Sequence, residues 1–355
     1  MEKIPVTLTT NYKEKPTGSD IPFGVITTDH MFLMNYSREE GWHNSRIVPY
    51  GPFQIDPACM VLHYAQEIFE GMKAYRDAEG KIRLFRPKEN FKRMNSSCER
   101  MSIPQVDVDY CVEAVRQLVT LEKDWVPSAP NTSLYIRPFI FATDNHIGVH
   151  ASHTYLFAII LSPVGPYYAT GLAPVDIMIE EEDVRAVRGG TGFTKCGGNY
   201  AASLRAGERA EEKGYSQVLW LDGVERKYIE EVGAMNVLFK IGGKIVTPAL
   251  SGSILPGITR KSCLQLLRDK GFEVEERKIS VDELMEAARN GSLEEAFGSG
   301  TAAVVSPIGS LAYKGEVFTV SGGKIGPVTQ DLYDTLTGIQ WGRVQDPYGW
   351  SQVIC

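Results

Sequence analysis

Arg188-Gly189-Gly190-Thr191-Gly192-Phe193-Thr194-Lys195-Cys196-Gly197-Gly198-Asn199-Tyr200 sets five glycines around one lysine. Glycine lets backbone or a flat ligand approach closely, because no Cβ intervenes. A lysine held there can lose its water; its pKa then falls and it becomes a nucleophile for a carbonyl. The plain alternative is a surface loop with a solvated lysine, and the neighbouring sequence weighs between the two. Tyr200 lies five residues beyond Lys195. Glu231, in Glu230-Glu231-Val232-Gly233-Ala234-Met235-Asn236, precedes an apolar strand and could keep a pyridine nitrogen protonated. Leu255-Pro256-Gly257-Ile258-Thr259-Arg260-Lys261-Ser262 opens a helix whose first N–H groups suit a phosphate. Gly257 permits close approach there, and Thr259 adds a hydroxyl. Gly298-Ser299-Gly300-Thr301-Ala302-Ala303 is a second turn of small residues. A lysine nucleophile, a carboxylate, a tyrosine and two phosphate-friendly turns suit pyridoxal phosphate better than other cofactors.

The chain around these segments is an ordinary globular one. It has 355 residues, 43% hydrophobic and 23% charged, with 37 Lys+Arg against 44 Asp+Glu, so 37 − 44 = −7. The length predicts about two domains. Mild acidity, with no long basic run, argues against a nucleic-acid partner. No segment approaches the ~20 apolar residues of a membrane span, and Met1-Glu2-Lys3-Ile4-Pro5 does not read as a secretory signal. Cysteines at 59, 98, 111, 196, 263 and 355 are widely scattered. That spacing predicts free thiols in a reducing cytoplasm, not a disulfide framework.

Strand and helix signals alternate throughout. Strands are expected at 81–85, 134–142, 154–162 and 217–221, with a hairpin of 236–241 and 244–247 about Gly242-Gly243. Helices are expected at 110–123, 201–213, 258–270, 281–289 and 329–340. Hairpins among the helices predict an α+β or mixed α/β fold, not a uniform parallel sheet. Pro163-Val164-Gly165-Pro166-Tyr167-Tyr168-Ala169-Thr170-Gly171 breaks any regular element. We therefore expect a small N-terminal α/β domain (1–163), a linker (164–172) and a large C-terminal α/β domain (173–355) carrying the lysine, with the cofactor in the interdomain cleft.

From Phe23 to about Pro347 the sequence resembles the branched-chain amino-acid aminotransferases, members of the fold-type IV pyridoxal-phosphate enzymes. The resemblance rests on Thr28-Asp29-His30-Met31, on His63-Tyr64-Ala65-Gln66-Glu67-Ile68-Phe69-Glu70-Gly71-Met72-Lys73-Ala74-Tyr75, and on Leu84-Phe85-Arg86-Pro87. It continues through Ser133-Leu134-Tyr135-Ile136-Arg137-Pro138, Lys195 to Tyr200, Gln217 to Leu221, Glu231-Val232-Gly233 and Leu255-Pro256-Gly257. It implies a reversible ping-pong transfer of the amino group between L-leucine, L-isoleucine or L-valine and 2-oxoglutarate. It also implies a Schiff base on Lys195, which would then shuttle a proton. Tyr200 would hydrogen-bond the cofactor's phenolic oxygen, and Glu231 would pair with its ring nitrogen. Arg93, the N–H groups of Ile258 and Thr259, and Thr301 would hold the phosphate. Phe23, Phe69, Tyr135, Arg137 and Tyr167 would line the substrate pocket. The backbone at Ala234 and Ala302 would take the α-carboxylate. Tyr64 would arrive from the partner of a homodimer.

Two departures from that family's pattern stand out. Ala234 replaces a threonine found in many relatives, removing one hydroxyl donor to the carboxylate. Ala303 and Ser306 occupy the positions of a redox-active cysteine pair in the animal enzymes, so no thiol switch is expected there. Within the same fold, D-amino-acid transaminase and aminodeoxychorismate lyase are the nearest alternatives. Two further readings compete from outside it. His146, His150 and His153 have helical spacing for a metal site, but Ile147, Gly148 and Val149 make that helix poor, so no metal is expected. Gly298-x-Gly300-x-x-Ala303 loosely matches a dinucleotide fingerprint, but Pro307 and Gly309 stop the helix it requires.

Overall fold

A computed structural model describes residues 3–167 and 172–355. In chain order the elements are β1 (His30–Ser37), β2 (Gly41–Pro49), α1 (Met60–Tyr64), β3 (Glu67–Phe69), β4 (Met72–Arg76), β5 (Ile82–Phe85), α2 (Pro87–Arg100), α3 (Val108–Leu121), β6 (Ser133–Ala142) and β7 (Thr154–Val164). There follow β8 (Val175–Ile179), α4 (Gly197–Ala201), α5 (Leu204–Glu212), β9 (Gln217–Leu221), β10 (Ile229–Val232), β11 (Met235–Ile241), β12 (Lys244–Pro248), α6 (Ile258–Asp269) and β13 (Val274–Arg277). Last come α7 (Val281–Arg289), β14 (Leu293–Gly300), β15 (Val304–Tyr313), β16 (Glu316–Thr319), α8 (Pro327–Gln340) and β17 (Ser351–Val353).

The residues form two compact units: 1–169 with 194–197 and 338–355, and 170–193 with 198–337. The first contains an antiparallel sheet in the order β17-β5-β4-β6-β7-β1-β2, with β3 also on β6. β6 pairs with β7 on one side and with β3 and β4 on the other, and most of its residues are buried, Arg137 only in part. Phe91 and Met94 of α2, and Val115, Leu118 and Val119 of α3, pack into the core of this unit. Burying each contributes roughly 1.5–3 kcal/mol. Asp107 caps α3 by accepting from the Tyr110 N–H at 2.7 Å.

The second unit holds a mixed sheet in the order β10-β9-β8-β15-β14-β11-β12-β13, with β16 on β15. β8 runs parallel to both β9 and β15, and β12 runs parallel to β13. Its core gathers Leu219, Phe239, Leu284, Ala296 and Leu311. Ser280 caps α7 by accepting from the Glu283 N–H at 3.0 Å. α8 starts two residues ahead of expectation because Pro327 opens it. Its early N–H groups on Val328 and Thr329 donate to buried Glu295 at 3.1 and 2.9 Å.

The division differs from the expected single cut within 164–172, of which 168–171 lie outside the described residues. The segment 194–197, lysine included, belongs to the first unit and not to the C-terminal one. The Phe69 N–H donates to the Lys195 carbonyl at 2.9 Å, and the Lys195 N–H donates to Ser97 Oγ at 3.0 Å. The C-terminal tail also returns to the first unit, where β17 pairs with β5. The helix expected at 201–213 is α5, which starts three residues later at Leu204, and a short separate helix, α4, precedes it. No helix among the described residues is long and apolar enough to cross a membrane.

Candidate active site

Lys195 lies on the first unit, near two acidic groups and an aromatic ring. Its Nζ sits 4.7 Å from the centroid of Phe69. The Gly197 N–H donates to Glu67, whose pKa burial raises against the opposing pull of that N–H and of Arg137. Glu70 is wholly buried and grips Arg93 through two oxygens: Nε to Oε1 at 2.7 Å and Nη2 to Oε2 at 2.8 Å. Asn90 adds a third donor to Glu70 at 2.8 Å. Burial pushes the Glu70 carboxyl up, but Arg93 outweighs it, with help from Lys195 and Asn90, and holds it below the ordinary carboxylate range. Gly71 follows because a Cβ there would run into the Tyr135 hydroxyl.

Arg137 lies over the rings of Phe69 and Tyr135, its guanidinium carbon 4.7 and 5.2 Å from their centroids. It donates to the Tyr135 hydroxyl at 3.1 Å, and its buried Nε has no hydrogen-bond partner among the described residues. Phe23 meets Tyr135 edge-on, with centroids 5.0 Å apart. A cation stacked on two aromatic walls can take either an apolar chain or a carboxylate. Of the expected residues, the first unit thus joins Lys195, Arg93, Phe69, Tyr135, Arg137 and Phe23 in one connected set. Tyr64 ends α1 and is partly exposed, as is Tyr167.

The second unit gathers the remaining groups. Glu231 is buried in β10; Leu255 N–H donates to its Oε1 at 2.7 Å, and Arg185 Nε stands 3.3 Å from its Oε2. Gly257 is the N-cap of α6 and has no side chain to cap the first N–H groups, those of Ile258 and Thr259. A Cβ on Gly257 would collide with Asn236, which donates to the Leu255 carbonyl at 2.9 Å. Thr301 and Ala302 turn the chain from β14 into β15, next to Ser299, whose buried hydroxyl has no hydrogen-bond partner among the described residues. Ala234 lies in the turn from β10 to β11, and Tyr200 is half-buried on α4. Gly192 is required by packing: a Cβ there would strike the Ser253 carbonyl and Ala186.

These groups fit a ring that carries a phosphate and a basic nitrogen. Uncapped helix N–H groups and an orphan hydroxyl favour an anion, and a buried carboxylate favours a protonated ring nitrogen. The dinucleotide alternative fails on geometry, since Gly300 leads into strand β15 and not into a helix. The three loop histidines do not form a helix. His150, His153 and Asp144 bring donor atoms within 4.8 Å of one another. Asp144, however, already accepts from the N–H groups of His153 and Thr154 and from the Thr154 hydroxyl, which with His150 hold its pKa down to about 2 against burial. The cluster therefore reads as a loop staple. Cys59, Cys98, Cys111, Cys196 and Cys263 are buried free thiols, and Cys355 is an exposed one.

Sequence reasoning passed over Glu70, Asn90, Ser97, Arg185 and Lys73. One signal was present: Glu70 interrupts the buried apolar run Ile68-Phe69-…-Met72 and so requires a cationic partner. Lys73 is buried, and burial lowers its pKa to about 8.

The family model described as Amino-transferase class IV matches residues 67–311. The chain is 55% identical over 353 residues to branched-chain-amino-acid aminotransferase 2 of Bacillus subtilis, covering 99% of this chain and 97% of that one. Among solved structures it resembles the Escherichia coli branched-chain amino acid aminotransferase, with a TM-score of 0.77 at 28% identity, covering 92% and 99% of the two chains. It also resembles a T.th. branched-chain amino acid aminotransferase with pyridoxamine 5'-phosphate, with a TM-score of 0.75 at 25% identity, covering 91% and 98%.

Proposed function

Because this chain belongs to the class IV aminotransferases, we propose that it is a pyridoxal-phosphate-dependent transaminase moving the amino group between L-leucine, L-isoleucine or L-valine and 2-oxoglutarate. Near-full-length identity to a relative named for branched-chain amino acids carries the substrate class. The stack of Arg137 on Phe69 and Tyr135 supports it, because one pocket must take an aliphatic chain in one half-reaction and a carboxylate in the other.

The cofactor supplies an electron-poor ring that accepts the electron pair left when the substrate Cα–H bond breaks. Lys195 is the amine that would hold the cofactor covalently, and its Nζ would be the base that moves the substrate Cα proton. Glu231 would keep the ring nitrogen protonated, and Tyr200 would donate to the ring oxygen. Arg93, Thr301 and the N–H groups of Ile258 and Thr259 would hold the phosphate. Phe23, Phe69, Tyr135, Arg137 and Tyr167 would shape the substrate pocket, with the backbone at Ala234 and Ala302 taking the α-carboxylate.

The test is a visible spectrum of the purified protein before and after adding L-leucine without keto acid. The expected result is a cofactor band that bleaches. Bleaching by a D-amino acid instead would keep the fold and overturn the substrate class. The absence of any band after adding pyridoxal phosphate would overturn the cofactor.

We further propose a homodimer in which Tyr64 completes the partner's pocket. Leu62 and Tyr64, 56% and 36% exposed at the end of α1, offer an apolar edge for such a contact. The Tyr64→Ala variant is expected to raise KM for leucine while the cofactor band stays intact. Unchanged kinetics would count against a shared site.

A further inference from the structure

We infer that Arg185 is a positioning residue for Glu231, holding its carboxylate ionised and aimed; this rests on the proposed pairing of Glu231 with the cofactor's ring nitrogen. Arg185 lies in the loop between β8 and the lysine segment and is 8% exposed. Its Nη2 donates to the carbonyls of Ser253 and, at 3.3 Å, Gly192, which fixes the plane of the guanidinium. Its Nε then stands 3.3 Å from Glu231 Oε2, while Leu255 N–H occupies Oε1 at 2.7 Å. One oxygen of Glu231 thus meets a fixed backbone dipole and the other a fixed cation. Nε makes no hydrogen bond among the described residues, so its hold on Glu231 is that of an ion pair.

The adjacent Glu230 supplies an internal contrast. It is equally buried and accepts from the Ser253 hydroxyl, but its Oε2 has no hydrogen-bond partner among the described residues. Burial raises its pKa despite that hydroxyl and the more distant pull of Arg185 and Arg188. A carboxylate sealed from water without a close cation becomes an acid. A protonated Glu231 could not keep a ring nitrogen charged. The stretch between β8 and α4 therefore carries both Lys195 and the cation that serves the carboxylate.

A double-mutant cycle on cofactor affinity separates this role from a merely structural one. Pyridoxal phosphate binding would be titrated by fluorescence on the apoprotein of wild type, R185M, E231Q and the double variant. R185M is expected to weaken binding by about ten- to a hundredfold, the range for a buried group left without its partner. In the E231Q background the same change should cost less than about threefold, because the residue through which Arg185 acts is already neutral. R185K should recover part of the loss and serves if R185M does not fold. An equal loss in both backgrounds would make Arg185 a scaffold residue and overturn the inference, as would unchanged binding in R185M. Unchanged binding and turnover in E231Q alone would remove the role of Glu231 itself, and that of Arg185 with it.

Discussion

Lys195→Ala is expected to lower turnover by at least about 10³-fold, the scale of losing both a covalent anchor and a general base. It should also erase the visible cofactor band while leaving the fold intact, since the backbone N–H and carbonyl of residue 195 make the bonds to Ser97 and Phe69. The competing candidate is Lys73, whose ammonium, lowered to about 8 by burial alone, is partly neutral near physiological pH. Nothing in an activity loss separates the two lysines if both touch the pocket. Borohydride reduction followed by peptide mapping does. The reduced cofactor should be found on the peptide containing Lys195, and Lys73→Met should keep its band. A label on the Lys73 peptide, or near-normal turnover in K195A, would overturn the mechanism.

The sequence exposed residues whose chemistry is unusual where they stand. Five glycines about a lysine, a carboxylate ahead of an apolar strand and a Pro-Gly helix start can be read without a fold, because each violates the composition expected of its surroundings. Period-two and period-3.6 patterns located β6, β7, α3, α6 and α7 closely, since each has an apolar face or a clear stop. What stayed hidden depends on distant pairing. Nothing local tells that residues 194–197 are held by Ser97 and the edge of β3, or that β17 returns to β5. Arg185 reads as one more surface arginine until Ser253 and Gly192 fix its plane. The short helix α4 ahead of α5 was equally hidden, because it spans a single turn and opens on two glycines.

Glu70→Ala is the substitution outside the lysine with the largest expected effect on stability. It would take from the Arg93 guanidinium, 9% exposed, the carboxylate that grips it by two bonds. Removing one partner of a buried ion pair costs about 3–5 kcal/mol. Glu70→Gln should cost less, because its amide keeps the shape and one acceptor for Asn90 and Arg93. The pH dependence follows from the sign of the shift. Arg93 holds the folded-state pKa of Glu70 below its ordinary value, so the unfolded chain takes up a proton first as pH falls. The stabilisation is therefore complete above about pH 4.3, the unfolded value, and is lost as pH falls through the lower folded value. The stability gap between wild type and E70Q should be widest at neutral pH and close progressively below about pH 4. Thermal unfolding of both proteins at pH 7 and in steps down to pH 3 would show it. A gap that stays constant across that range would mean that Glu70 has the same pKa in the folded and unfolded chain, and that Arg93 does not shift it.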